Sequence, residues 1–81
     1  MKLLTIKGCA PCAAIKSALP AGTDIDFVDL SVRTDETAAI KKVMMAEGVR
    51  KVPCLYSKGT IIAVGPEAVR THLGLDNATQ Q

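Results

Sequence analysis

Two hydrophobic periods take turns along this chain. Lys2–Ile6 (KLLTI) is a short, mostly apolar run that stops at Gly8, which predicts a buried strand. After Cys9 the spacing lengthens. Ala14, Ile15, Ala18 and Leu19 recur at helical intervals, with Pro11 in a first turn whose N–H groups lack partners anyway and Pro20 ending the run. Ile25–Leu30 (IDFVDL) returns to strand character, with Asp26 and Asp29 towards solvent. Thr34 is placed to cap a second helix, Asp35 and Glu36 suit its first turn, Ile40, Val43 and Met44 form its apolar face, and Gly48 falls at its end. Val52–Tyr56 (VPCLY) predicts a third strand opening with proline. Ser57–Gly59 forms a hairpin connection, and Thr60–Val64 (TIIAV) a fourth strand. A last helix starts at Pro66, carries Val69 and Leu73, and closes at Gly74. Residues 75–81 are mostly polar and are expected to fray.

The order is therefore β-α-β-α-β-β-α in a single domain spanning residues 1–81, with no repeat, linker or low-complexity segment. At 48 % hydrophobic residues the chain is rich enough to pack a core, but Phe27 and Tyr56 are its only aromatics, so Leu, Ile, Val, Ala and Met must build it. Met44 and Met45 fit that role and are assigned no function. A net charge of +2 with both signs interspersed excludes a nucleic-acid footprint. The opening MKLLTIK has the lysine of a signal peptide, but its apolar run breaks at Thr5, and no stretch approaches the roughly 18 apolar residues of a membrane span. The expectation is a cytoplasmic protein without membrane attachment.

Chemistry concentrates in Cys9-Ala10-Pro11-Cys12. Three cysteines, Cys9, Cys12 and Cys54, are an odd number, and the first two are too close to staple a large loop. In a reducing compartment such a pair is a redox centre or a metal ligand set. Zinc needs four ligands, and Cys54 and His72 are the only further Cys or His side chains. His72 suits the negative end of the last helix. A zinc or iron–sulfur role is the first alternative to redox chemistry, and an inactive binding module the second. Cys54 reads as a small buried hydrophobe, or as a third thiol able to form another disulfide on oxidation.

The placement of CAPC (Cys9–Cys12) after a first strand, together with GVRKVPCLY (Gly48–Tyr56) and GTIIAVG (Gly59–Gly65), resembles the thioredoxin fold and, more closely, its short glutaredoxin-like branch. The resemblance implies an α/β protein with a four-stranded mixed sheet and helices on both faces. It implies a cis Val52–Pro53 bond facing the cysteine pair, and a redox-active Cys9–Cys12 disulfide with no bound cofactor. It also implies a thiol–disulfide oxidoreductase that reduces protein or glutathione mixed disulfides. Glutathione or a thioredoxin-reductase-type flavoenzyme would restore the dithiol.

Residue roles follow. Cys9 precedes a helix, whose unpaired N–H groups and dipole favour a thiolate, so it is expected to be the nucleophile, with Lys7 adding positive charge. Cys12, one turn on, is expected to be shielded and to resolve the mixed disulfide. Ala10 and Pro11 set the turn between them. Arg50 and Lys51 would receive carboxylates of glutathione or an acidic partner, and the Val52 backbone beside Pro53 would pair with an extended substrate. Typical family members follow the fourth strand with two glycines that hold glutathione. Here Gly65 is followed by Pro66, which has no N–H, so weak glutathione affinity is expected.

Overall fold

A computed structural model of the chain describes residues 1–20 and 22–75. The elements are β1 (Lys2–Thr5), α1 (Ala10–Ala18), β2 (Asp26–Asp29), α2 (Asp35–Ala46), β3 (Cys54–Ser57), β4 (Thr60–Val64) and α3 (Pro66–Leu73). They form one four-stranded sheet in the order β2-β1-β3-β4. The α1 crossover returns the chain parallel to β1 as β2, whereas β3 runs antiparallel to both β1 and β4. Lys58 and Gly59 close the β3–β4 hairpin with φ of 52° and 78°. Positive φ at both positions matches the twist of the strands that they join.

Alternation along the strands splits the core in two. Leu3, Leu55 and Ala63 stand on one face and pack against Ile15 of α1 and Val69 of α3. Leu4, Val28 and Cys54 stand on the other and pack with Leu30 against Ile40 and Met44 of α2. The sheet thus carries helices on both faces, the mixed α/β architecture of the thioredoxin fold. Phe27 remains 47 % exposed and Tyr56 packs half-buried at the margin of the α2-side core, so neither aromatic is among the fully buried side chains. Helix α2 is fixed by a reciprocal cap: Thr37 donates its N–H to Thr34 Oγ1 at 3.1 Å, and Thr34 donates its N–H to Thr37 Oγ1 at 3.0 Å. Among the described residues no helix is long and apolar enough to cross a membrane.

Three details differ from the sequence pattern. Helix α1 buries Cys12 and Ile15 and half-buries Leu19, while Ala14 and Ala18 are exposed. The buried stripe starts from Cys12, which places Ala14 and Ala18 off it. The third strand begins at Cys54, because Pro53 has no N–H to enter the ladder. Leu75, the first residue of the expected tail, is tied to α3 and to the core. It donates its N–H to the Arg70 carbonyl at 2.8 Å beyond the left-handed Gly74, and its side chain packs on the α1–α3 core. The rest of the expected tail, 76–81, lies outside the described residues.

Candidate active site

Between β1 and α1 the chain turns through Gly8, whose φ is 80°, and Cys9 donates its N–H to the Ile6 carbonyl at 3.4 Å. Cys9 is the N-cap of α1, with extended dihedrals of −85° and 107°. Its Sγ accepts the N–H of Cys12 at 3.2 Å, and its carbonyl accepts the N–H of Ala13 at 3.1 Å. The cysteine side chain therefore stands where a serine or aspartate often caps a helix, against the Cys12 N–H of the first turn. Cys9 and Cys12 are joined as a disulfide with their Cα atoms 5.3 Å apart, inside the usual span. They are not equivalent: Cys9 is half-buried, whereas Cys12 is 2 % exposed on the stripe that also buries Ile15.

A groove of about 520 Å³ runs beside the pair, lined in part by Lys7, Ala10, Lys16, Phe27 and Asp29. The Lys16 ammonium sits 4.8 Å from the centre of the Phe27 ring. Asp29 accepts the Ser31 N–H at 2.9 Å and the Ser31 hydroxyl. These bonds hold its carboxyl below the ordinary aspartate range, with smaller contributions from Lys16 and Lys7.

Arg50, Lys51 and Gly65 line a separate groove of about 630 Å³, together with Pro66 and Glu67. Val52–Pro53 is cis and Pro53 is buried. Val52 borders a third groove, which Arg50 shares. Pro11 is exposed in the first turn of α1 and lines none of these. The predicted site residues thus fall into two groups. Lys7, Cys9, Ala10 and Cys12 come together, while Arg50, Lys51 and Gly65 come together elsewhere.

The free thiol, Cys54, is fully buried and donates to the Lys51 carbonyl at 2.7 Å. Burial pushes its pKa up, against a smaller opposing effect of a backbone hydrogen bond from Gly65. His72 is exposed in the last turn of α3. Among the described residues no three His, Cys, Asp or Glu side chains gather as a metal site.

Lys16, Phe27 and Asp29 were not expected near the cysteines. Lys16 could have been found, since it lies seven residues, two helical turns, after Cys9. Phe27 and Asp29 arrive only through the parallel register, which sets Leu3 against Phe27 and Thr5 against Asp29.

Comparison with curated proteins and with solved structures gave no match. The glutaredoxin family model matches residues 1–62, which include the cysteine pair and Pro53 and stop before Gly65. With three-quarters of its length matched and the sheet of that fold, the chain belongs to the glutaredoxin family, thiol-redox proteins of the thioredoxin fold.

Proposed function

We propose that this protein is a small dithiol thiol–disulfide oxidoreductase in which Cys9 attacks and Cys12 resolves. The observation that carries the reading is the asymmetry of the pair. Cys9 Sγ, half-buried, caps a helix and accepts the Cys12 N–H, while Cys12 itself is nearly inaccessible. In the reduced protein the same N–H groups and helix dipole favour a thiolate at Cys9, and Lys7 and Lys16 add positive charge beside it.

The Cys9 thiolate attacks one sulfur of a substrate disulfide. A Cys9–substrate bond forms, the substrate S–S bond breaks, and the departing thiolate takes up a proton. Cys12 then loses its proton and attacks Cys9 Sγ. The second substrate thiolate leaves, and the Cys9–Cys12 disulfide of the structure remains. Two electrons have passed to the substrate. Two glutathione molecules, or the dithiol of a thioredoxin-reductase-type flavoenzyme, return them.

Protein disulfides are the favoured substrates and glutathione a weak partner. Arg50, Lys51 and Gly65 of one groove and the Val52 backbone of its neighbour would supply its site, but Pro66 offers no N–H there and Glu67 adds negative charge to the Arg50–Lys51 groove. The compartment assigned is the cytoplasm, where such a pair cycles instead of persisting as a staple.

The test is reduction of insulin disulfides beside reduction of a glutathione mixed disulfide, each with glutathione or a thioredoxin reductase as donor. Catalysed insulin reduction is expected. No turnover with any combination would leave a binding module on a redox fold.

A further inference from the structure

Met44 and Met45 are neighbours on α2 with opposite surroundings. Met44 is 8 % exposed in the α2-side core, whereas Met45 is 81 % exposed. Ile6, just after β1, is 44 % exposed. These side chains border one groove of about 370 Å³ with Val52, and Lys41 and Arg50 add two cations to its lining. A cluster of exposed apolar groups with polar residues around it marks an interaction surface, where isolated exposed side chains do not.

Two observations say what the groove receives. The first is continuity with the redox centre. Ile6 also lines the groove that holds Cys9 and Cys12, and its carbonyl accepts the Cys9 N–H at 3.4 Å. Arg50 likewise borders the groove of Lys51 and Gly65. A chain whose disulfide lies at Cys9 therefore has a neighbouring segment at Ile6 and Met45. The second is charge. Among the described residues neither Lys41 nor Arg50 is paired with a carboxylate.

We propose that this groove is a docking site for the disulfide-bearing polypeptide, which inserts a bulky apolar side chain between Ile6 and Met45 and sets an acidic residue against Lys41 and Arg50. The proposal rests on the oxidoreductase reading above and adds the partner's chemistry to it. A flexible, polarisable methionine can adapt to several apolar shapes, so the site recognises a class of segment and not one sequence. Glutathione has no apolar side chain to place there. Met45 and Lys41 are thus specificity-determining residues that separate polypeptide disulfides from small ones.

The experiment uses two synthetic peptides with the same internal disulfide, one flanked by Leu and Glu and the other by Ser and Lys, with hydroxyethyl disulfide as the small substrate. For the native chain, kcat/KM for the Leu/Glu peptide should exceed that for the Ser/Lys peptide by about tenfold. Met45→Gln and Lys41→Glu should each lower the ratio of Leu/Glu-peptide to hydroxyethyl-disulfide kcat/KM, by about three- to tenfold. A structural defect would instead lower both rates together and leave that ratio unmoved. An unmoved ratio in both variants overturns the docking site alone. No reduction of any of the three substrates overturns the redox reading, and the docking site with it. A dimer that Met45→Gln dissociates would give the groove to a second copy of the chain and overturns the proposal as well.

Discussion

Gly65 donates its backbone N–H to the Pro53 carbonyl at 2.9 Å, tying the start of α3 to the residues that lead into β3. Gly65 does this with φ and ψ of 88° and 163°, a conformation essentially confined to glycine. A Cβ there would meet nothing within 4 Å, so a substitution costs backbone strain and no clash. Gly65→Ala is expected to destabilise the fold by about 1–3 kcal/mol. Urea denaturation measures it, and an unchanged midpoint at unchanged slope would contradict it.

The Arg50–Lys51 groove predicts the glutathione response. Glu67 shares that groove, so its carboxylate would oppose the two carboxylates of any glutathione bound there. Glu67→Gln should lower the KM for glutathione by about two- to fivefold, the order of one exposed charge contact. Arg50→Ala with Lys51→Ala should raise it. A glutathione-coupled assay across these variants decides the matter. Efficient turnover by the native chain would mean that Gly65 alone suffices without a second glycine.

Asp29 carries an acid-side dependence. Its folded pKa lies below the ordinary aspartate value of 3.8, chiefly through hydrogen bonds from Ser31. A carboxyl depressed on folding stabilises above its unfolded pKa, and that stability is lost as pH falls through the folded value. Asp29→Asn should therefore melt lower than the native chain at pH 6, by a few degrees at most for a half-exposed group, and the gap should close as pH falls below 3.8. A gap that stays constant down to pH 2 would show that the ionised carboxylate does not contribute.

Element order was legible because the hydrophobic period switches cleanly at Gly8, Thr34, Gly48 and Pro66. The cysteine pair was legible because its spacing and place after a strand carry the chemistry with them. Other parts were not, for physical reasons. Phe27 and Asp29 reach the cysteines across the sheet, through a strand register that no local pattern encodes. Met44 and Met45 are identical in composition, and only helix phase divides them: Met44 lies four residues after Ile40 on the buried stripe, and Met45 is turned a further 100° away. Leu75 looked like the start of a polar tail until the Gly74 cap folded it back against the core. Arg50 and Lys51 stood out as cations before Pro53, but which groove they line depends on the three-dimensional path into β3, which no local pattern encodes.

Cys9 and Cys12 differ in exposure and in helix position, and the account stands on that inequality. Intact mass after mixing each variant with a model disulfide tests it most directly. Cys12→Ser should accumulate a mixed disulfide at Cys9 that persists until an outside thiol is added, because the attacking thiolate is left without a resolver. Cys9→Ser should trap nothing at neutral pH and should lose disulfide reduction, since Cys12 is 2 % exposed and Cys54 is buried. Equal trapping by the two variants would contradict the assignment of Cys9 as the nucleophile.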